Sequence, residues 1–117
     1  MAKSQLYGKK ERVEQLLEKL DRLDVQVVFF VIGKNLASEE GRECAELASK
    51  QGHFLANHSY HHGHLTEMTI NEFAHEIRST EVLLQNYQTF QKWYRFPFLD
   101  FGERKGNFLK RAQAFQT

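Results

Sequence analysis

Two histidines four residues apart, His58 and His62, are the residues of this chain best suited to chemistry. Five of the six His fall between positions 53 and 64, and the flanking Asn57, Ser59 and Tyr60 are polar. A neutral imidazole nitrogen is a good donor to zinc or cobalt, and two His with one carboxylate leave a position open for water. The spacing HxxxH also fits a solvated, His-rich turn, so it does not by itself define a site. Cys44 is the single Cys, which allows neither an intrachain disulfide nor a CxxC motif. Any metal must therefore be held by His and carboxylate.

The elements that position these residues follow from periodicity. Val13, Leu16, Leu17, Leu20 and Leu23 form the apolar stripe of a helix over 10–23. The run VQVVFFVI, from Val25 to Ile32, reads as a strand covered on both faces and ends at Gly33. Ser38 caps a helix to about Lys50 with Cys44, Leu47 and Ala48 on its apolar side, and Gly52 follows it as the residue just past its end. A short strand, His53 to Asn57, leads into a loop over 58–68, at the carboxyl end where α/β folds place ligands. Thr69 and Glu72 make a capping box for a helix bearing Ile70, Phe73, Ala74, Ile77 and Leu84 and ending near Tyr87. Trp93 to Phe96 reads as a third strand and Pro97 to Lys105 as a loop, and Phe108, Leu109, Ala112 and Phe115 mark a last helix. Strands separated by helices imply parallel pairing.

Composition narrows the class. The 117 residues carry 16 Lys and Arg against 15 Asp and Glu, a net charge of +1 without basic blocks, which argues against a nucleic-acid partner held by bulk charge. No apolar run is long enough to cross a bilayer, and no targeting signal is visible. The uncharged strand 27–32 would be an aggregation hazard at an open edge.

The string GHFLANHSYHH, then a capped helix, then YRFPF, resembles the polysaccharide deacetylase family, the NodB homology or fourth carbohydrate esterase family, with its H-[ST]-x-x-H and R-x-P-[FY] motifs. The upstream VVFFVIGKN is similar to that family's apolar strand ending in F-F-x-x-G, and the resemblance covers about residues 12 to 110. It implies an α/β fold, a partial (β/α) barrel of the NodB deacetylase type with about three parallel strands and four helices. Residues 1–117 would then be the central part of one such domain, since a closed barrel needs about twice this length. The resemblance assigns His58 and His62 as ligands of a divalent metal, zinc in the first place, with cobalt or nickel as alternatives. Ser59 would brace the metal loop, Arg95 would orient a catalytic Asp, and Pro97 and Phe98 would wall a sugar groove. His53 is read as structural, and His61, His64 and His75 as solvent-facing. The implied partner is an N-acetylated polysaccharide.

The departures are as informative. The family's T-F-D-D-G motif, which supplies the base and a third ligand, has no counterpart here, and Asp21, Asp24 and Asp100 do not match it. The later L-x-H motif with the acid His is likewise missing, so the chain reads as a stretch truncated at both ends. The implied reaction is metal-dependent attack of water on the carbonyl of an N-acetyl (or O-acetyl) group, with an Asp taking the proton and a His protonating the leaving group, an amine in the N-acetyl case. Lacking both, this chain is expected to be inactive alone. The alternatives are a non-catalytic remnant that binds sugar or metal, and an α/β scaffold with an incidental His cluster. Family members act at the cell envelope or outside the cell, but no localisation follows from this sequence.

Overall fold

A computed structural model describes residues 10–99. Helix α1, Lys10–Arg22, buries Val13 and Leu17. Its end is closed by hydrogen bonds from Val25 N–H to the Leu20 carbonyl and from Asp24 N–H to the Asp21 carbonyl, around Asp24 at φ 54°. This is a Schellman closure with Asp where Gly is usual. It accounts for two differences from the sequence reading. Leu23 leaves the buried stripe and is 70% exposed. Val25 commits its N–H to the helix end, so the expected strand begins only at Val28.

The remaining elements alternate: β1 Val28–Val31, α2 Glu39–Lys50, β2 Phe54–Asn57, α3 Ile70–Leu84 and β3 Phe90–Tyr94. The strands form one parallel sheet in the order β1-β2-β3, with Val28 opposite Phe54 and Val31 opposite Asn57. Between β2 and β3 the register is irregular: Leu55 meets Phe90 and Asn57 meets Tyr94. β3 starts earlier than the expected Trp93, because Thr89 and Phe90 already pair with Leu55 despite the polar Gln91 and Lys92 that follow. The fourth helix expected around Phe108 lies outside the described residues.

The caps work as their residue types require. Ser38 Oγ accepts the Gly41 N–H at the start of α2, and Thr69 and Glu72 exchange side-chain and backbone hydrogen bonds at the start of α3. Gly52, at φ 94°, closes α2 by donating to the Ser49 carbonyl while His53 N–H donates to that of Ala48. On one sheet face Val31 and Leu55 pack with Val13, Leu17, Cys44 and Ala48 of the first two helices. A second cluster, Leu65, Phe73, Ala74 and Ile77 with Tyr94 and Phe96 against it, lies between α3, the loop after β2 and the end of β3. Near-complete burial of Leu55, Leu65, Phe73 and Leu84 contributes about 1.5–3 kcal/mol each. Ile70, expected on the buried face of α3, is 38% exposed. Strand β1 keeps Val28, Phe29 and Phe30 only partly buried, so the expectation of full cover on both faces holds for Val31 alone. Among the described residues no helix is long and apolar enough to cross a membrane.

His53 is 2% exposed, and its Nδ1 accepts the Val27 N–H, which confirms a structural role. Burial lowers its pKa, an effect that Asp21 partly opposes. The unfolded chain protonates this group near the ordinary 6.5, the folded chain only at lower pH. Its stabilising contribution is therefore complete above pH 6.5 and lost as pH falls below it. Urea midpoints should drop between pH 7.5 and 5.5, and His53→Asn, which retains an acceptor for Val27, should flatten that dependence; an equal slope in the variant would refute the assignment.

Gly33 shows a steric demand of another kind. A Cβ there would stand 2.2 Å from Thr80 Oγ1 and 2.7 Å from Tyr60 Cδ2, whereas one at Gly52 meets nothing within 4 Å. Gly33→Ala should cost about 1–3 kcal/mol by overpacking. Gly52→Ala should cost about 1–2 kcal/mol through backbone strain. In urea unfolding, Thr80→Ala should recover part of the Gly33→Ala loss and none of the Gly52→Ala loss.

Candidate metal centre and sugar-facing surface

Parallel pairing brings the carboxyl ends of all three strands to one edge, and the segments leaving them are laced together. His58 N–H donates to the Val31 carbonyl and Arg95 N–H to that of Asn57. Gly33 and Lys34 donate to the carbonyls of Ser59 and Tyr60. Asn57 is 4% exposed and both ends of its amide are used: Nδ2 donates to the Ile77 carbonyl and Oδ1 accepts the Ser59 N–H. The loop therefore has no freedom to drift, although Ser59 and His62 both sit at positive φ, 71° and 61°. For non-glycine residues such backbone persists only where its surroundings enforce it.

The structure brings His58 and His62 together with ring centroids 4.6 Å apart at 70°. His58 Nδ1–H donates to the Arg95 carbonyl at 2.8 Å, which fixes the tautomer and leaves Nε2 as the donor atom. Burial is the main cause of a lowered His58 pKa; the Arg95 carbonyl opposes it, and His62 and the Arg95 charge add to it. The ring is thus neutral and able to ligate near neutral pH. Two imidazoles, one already oriented by a carbonyl, suit a zinc-like cation as part of a donor set. Among the described residues no group of three His, Cys, Asp or Glu stands ready to hold a metal ion.

Arg95, exposed, begins the segment after β3, and its backbone rather than its charge meets His58. Pro97 is fully buried, while Phe98 is 58% exposed at φ 58°. The pair expected to form a wall is thus divided between a buried support and an exposed ring. Phe98 lies 4.7 Å from the His62 ring and stacks on His64 at 3.9 Å and 15°. His64, expected to face solvent, is instead a half-buried partner of that ring. His75 is exposed, with Nε2 3.2 Å from Ser79 Oγ.

Sequence reasoning missed Glu76. It lies on the buried side of α3, and its Oε1 accepts both the Ser59 hydroxyl and the His61 N–H while Oε2 accepts His61 Nδ1–H, each at 2.7 Å. Burial alone would raise its pKa, but the hydrogen bonds from Ser59 and His61 outweigh burial and lower it. His61, though its side chain is 61% exposed, is therefore anchored by one ring nitrogen. The available signal was a carboxylate set between Phe73 and Ile77 on an otherwise apolar helix face. Close by, burial pushes the Tyr94 phenol well above its ordinary range, opposed by Ser59 and reinforced by Glu76.

Comparison with known proteins places this architecture. A family model described as Polysaccharide deacetylase matches residues 7–115. A peptidoglycan-N-acetylglucosamine deacetylase of Bacillus cereus is 30% identical over 103 residues, which make up 87% of this chain and 36% of that protein. The Xyl-CE4 domain of a multidomain xylanase from the hindgut metagenome of Trinervitermes trinervoides superposes with a TM-score of 0.74 at 23% identity, over 87% of this chain and 47% of that one. A mutant of a CE4 family pseudoenzyme gives the same TM-score at 24% identity, over 92% of this chain and 38% of that one. The chain thus spans little more than a third of the curated relative and less than half of each solved structure. The parallel strands and helical crossovers are the α/β part-barrel of NodB-type domains. With that family model matching residues 7–115, nearly all of the chain, the chain belongs to the polysaccharide deacetylase family.

Proposed function

We propose that His58 and His62 bind a divalent cation, zinc in the first place, within a site that removes acetyl groups from an N-acetylated polysaccharide. The observation that carries this is the oriented His58 ring, with Nδ1–H on the Arg95 carbonyl and the His62 ring beside it. When bound, such a cation supplies Lewis acidity toward an acetyl carbonyl. The chain's own residues then have separable tasks. His58 and His62 offer ring nitrogens, and the Ser59 hydroxyl ties their loop to α3 through Glu76. Phe98 offers the exposed flat ring on which the C–H face of a sugar can rest, backed by His64 and following the buried Pro97 in the chain. The Arg95 guanidinium supplies a positive charge that would orient the catalytic Asp of the T-F-D-D-G motif, which has no counterpart in this sequence. The N-acetylglucosamine named for the Bacillus cereus relative supports an N-acetylated glycan as substrate.

A second reading, a non-catalytic module that binds sugar or metal, is supported by the likeness to a pseudoenzyme and by the incomplete donor set among the described residues. Under either reading the 117-residue chain should bind zinc far more weakly than a four-ligand structural site, and His58→Ala should abolish that binding in calorimetry. The chain should weakly bind acetylated chito-oligosaccharide, less so as Phe98→Ala, and release no acetate from it. Acetate release would refute inactivity of the chain alone. Stoichiometric zinc that survives combined His58→Ala and His62→Ala would refute the ligand assignment, and failure to bind either metal or acetylated glycan would sink both readings.

A further inference from the structure

We propose that Glu76 is a positioning residue for the His58–His62 donor pair, holding from α3 the stretch of loop that joins the two imidazoles. This rests on reading that pair as a metal site. The three groups donating to its carboxylate, Ser59 Oγ–H, His61 N–H and His61 Nδ1–H, all belong to residues between the two ligands in the chain. The loop they tie carries left-handed backbone at Ser59, immediately after one ligand, and at His62, the other. A conformation of that kind relaxes unless something outside the loop enforces it.

The choice of residue supports a positioning task. Glu76 is 7% exposed and faces the loop from a helix side otherwise given to Phe73, Ile77 and Thr80. An apolar side chain there would avoid the cost of burying a charge. Only an acceptor-only group with two oxygens can take three converging donors at once. A hydroxyl or an amide at this position would have to present a donor of its own to one of them. The chemistry selected is therefore that of a tether across to the loop rather than of a filler for the core.

Cobalt titration of the full chain, read by its visible absorption, tests this in the wild type and in Glu76→Ala, Glu76→Asp and Glu76→Gln. Loss of a group that orients a ligand costs about 10–100-fold in metal affinity, and that is the expected loss for Glu76→Ala. Glu76→Asp keeps the charge but is shorter by one methylene, and should lose affinity by a similar factor even if the Ala variant does not fold. Glu76→Gln keeps an oxygen for Ser59 and His61 N–H but turns an N–H toward His61 Nδ1, and should recover only part of the affinity lost in Glu76→Ala. Val13→Ala, in the core far from the loop in sequence, controls for a general loss of stability and should leave cobalt affinity unchanged. Metal-free melting would be followed in parallel. Affinity within about threefold of wild type in both Glu76→Ala and Glu76→Asp overturns the proposal, since ligand-orienting groups count for more than that. So does an equal loss in Val13→Ala. If the wild type binds no cobalt, the metal reading itself fails, an outcome distinct from binding that is indifferent to Glu76.

Discussion

The carboxyl ends of parallel strands present backbone groups that the strands themselves no longer satisfy, and in this protein Asn57 resolves that problem. Its carbonyl takes the Arg95 N–H, its amide oxygen takes the Ser59 N–H, and its amide nitrogen reaches the Ile77 carbonyl on α3. One buried residue thus joins β2, the segment after β3, the His-rich loop and the helix that follows it: its backbone holds the segment after β3, and its side chain holds the loop and the helix. Leaving any of these groups unpaired in the interior would cost about 1–3 kcal/mol. The placement of His58 is a consequence: it follows Asn57 directly, with its N–H on Val31 and its ring on the Arg95 carbonyl.

Around that junction the structure trades local ease for position. Residues of the site segments, Ser59, His62 and Phe98, occupy left-handed backbone without being glycine. Where glycine is present, at Gly33, the reason is space: Thr80 and Tyr60 leave no room for a Cβ beside the loop. The site is also electrostatically quiet. A neutral His58 ring, a carbonyl and one carboxylate held by three hydrogen bonds set its character, while Arg95 remains at the exposed rim.

Much of this was legible in the residues. Caps at Ser38, Thr69 and Glu72, the Gly52 closure and the helical stripes all follow from short-range chemistry, and short-range chemistry is what a single sequence displays. The His58–His62 pair and the segment around Arg95 were visible as motifs, and the fold does bring them together. What escaped depends on long-range contact. Leu23 and Val25 fit their apolar runs, yet the helix closure at Asp24 removes both from them. The start of β3 was hidden because its pairing with Leu55 outweighs the polarity of Gln91 and Lys92. Glu76 reads as one more acidic residue on a helix until the loop after β2 folds over it, and the His64 stack on Phe98 depends on a ring 34 positions away.

The order of the strands in the sheet is also their order in the chain. β2 pairs with β1 and β3 with β2, across separations of 26 residues in the first pairing and 35 to 37 in the second. Pairing parallel strands across separations of that size is slow compared with winding the helices between them. Among the described strands, however, none has to wedge between two that have already zipped together. As the chain leaves the ribosome, the sheet can therefore grow by accretion at one side, with β2 available as a template before β3 has been made. The metal-facing loop is bracketed by this sequence of events: Gly33 and Val31 are in place to receive it, and Arg95 and then Phe98 close over it.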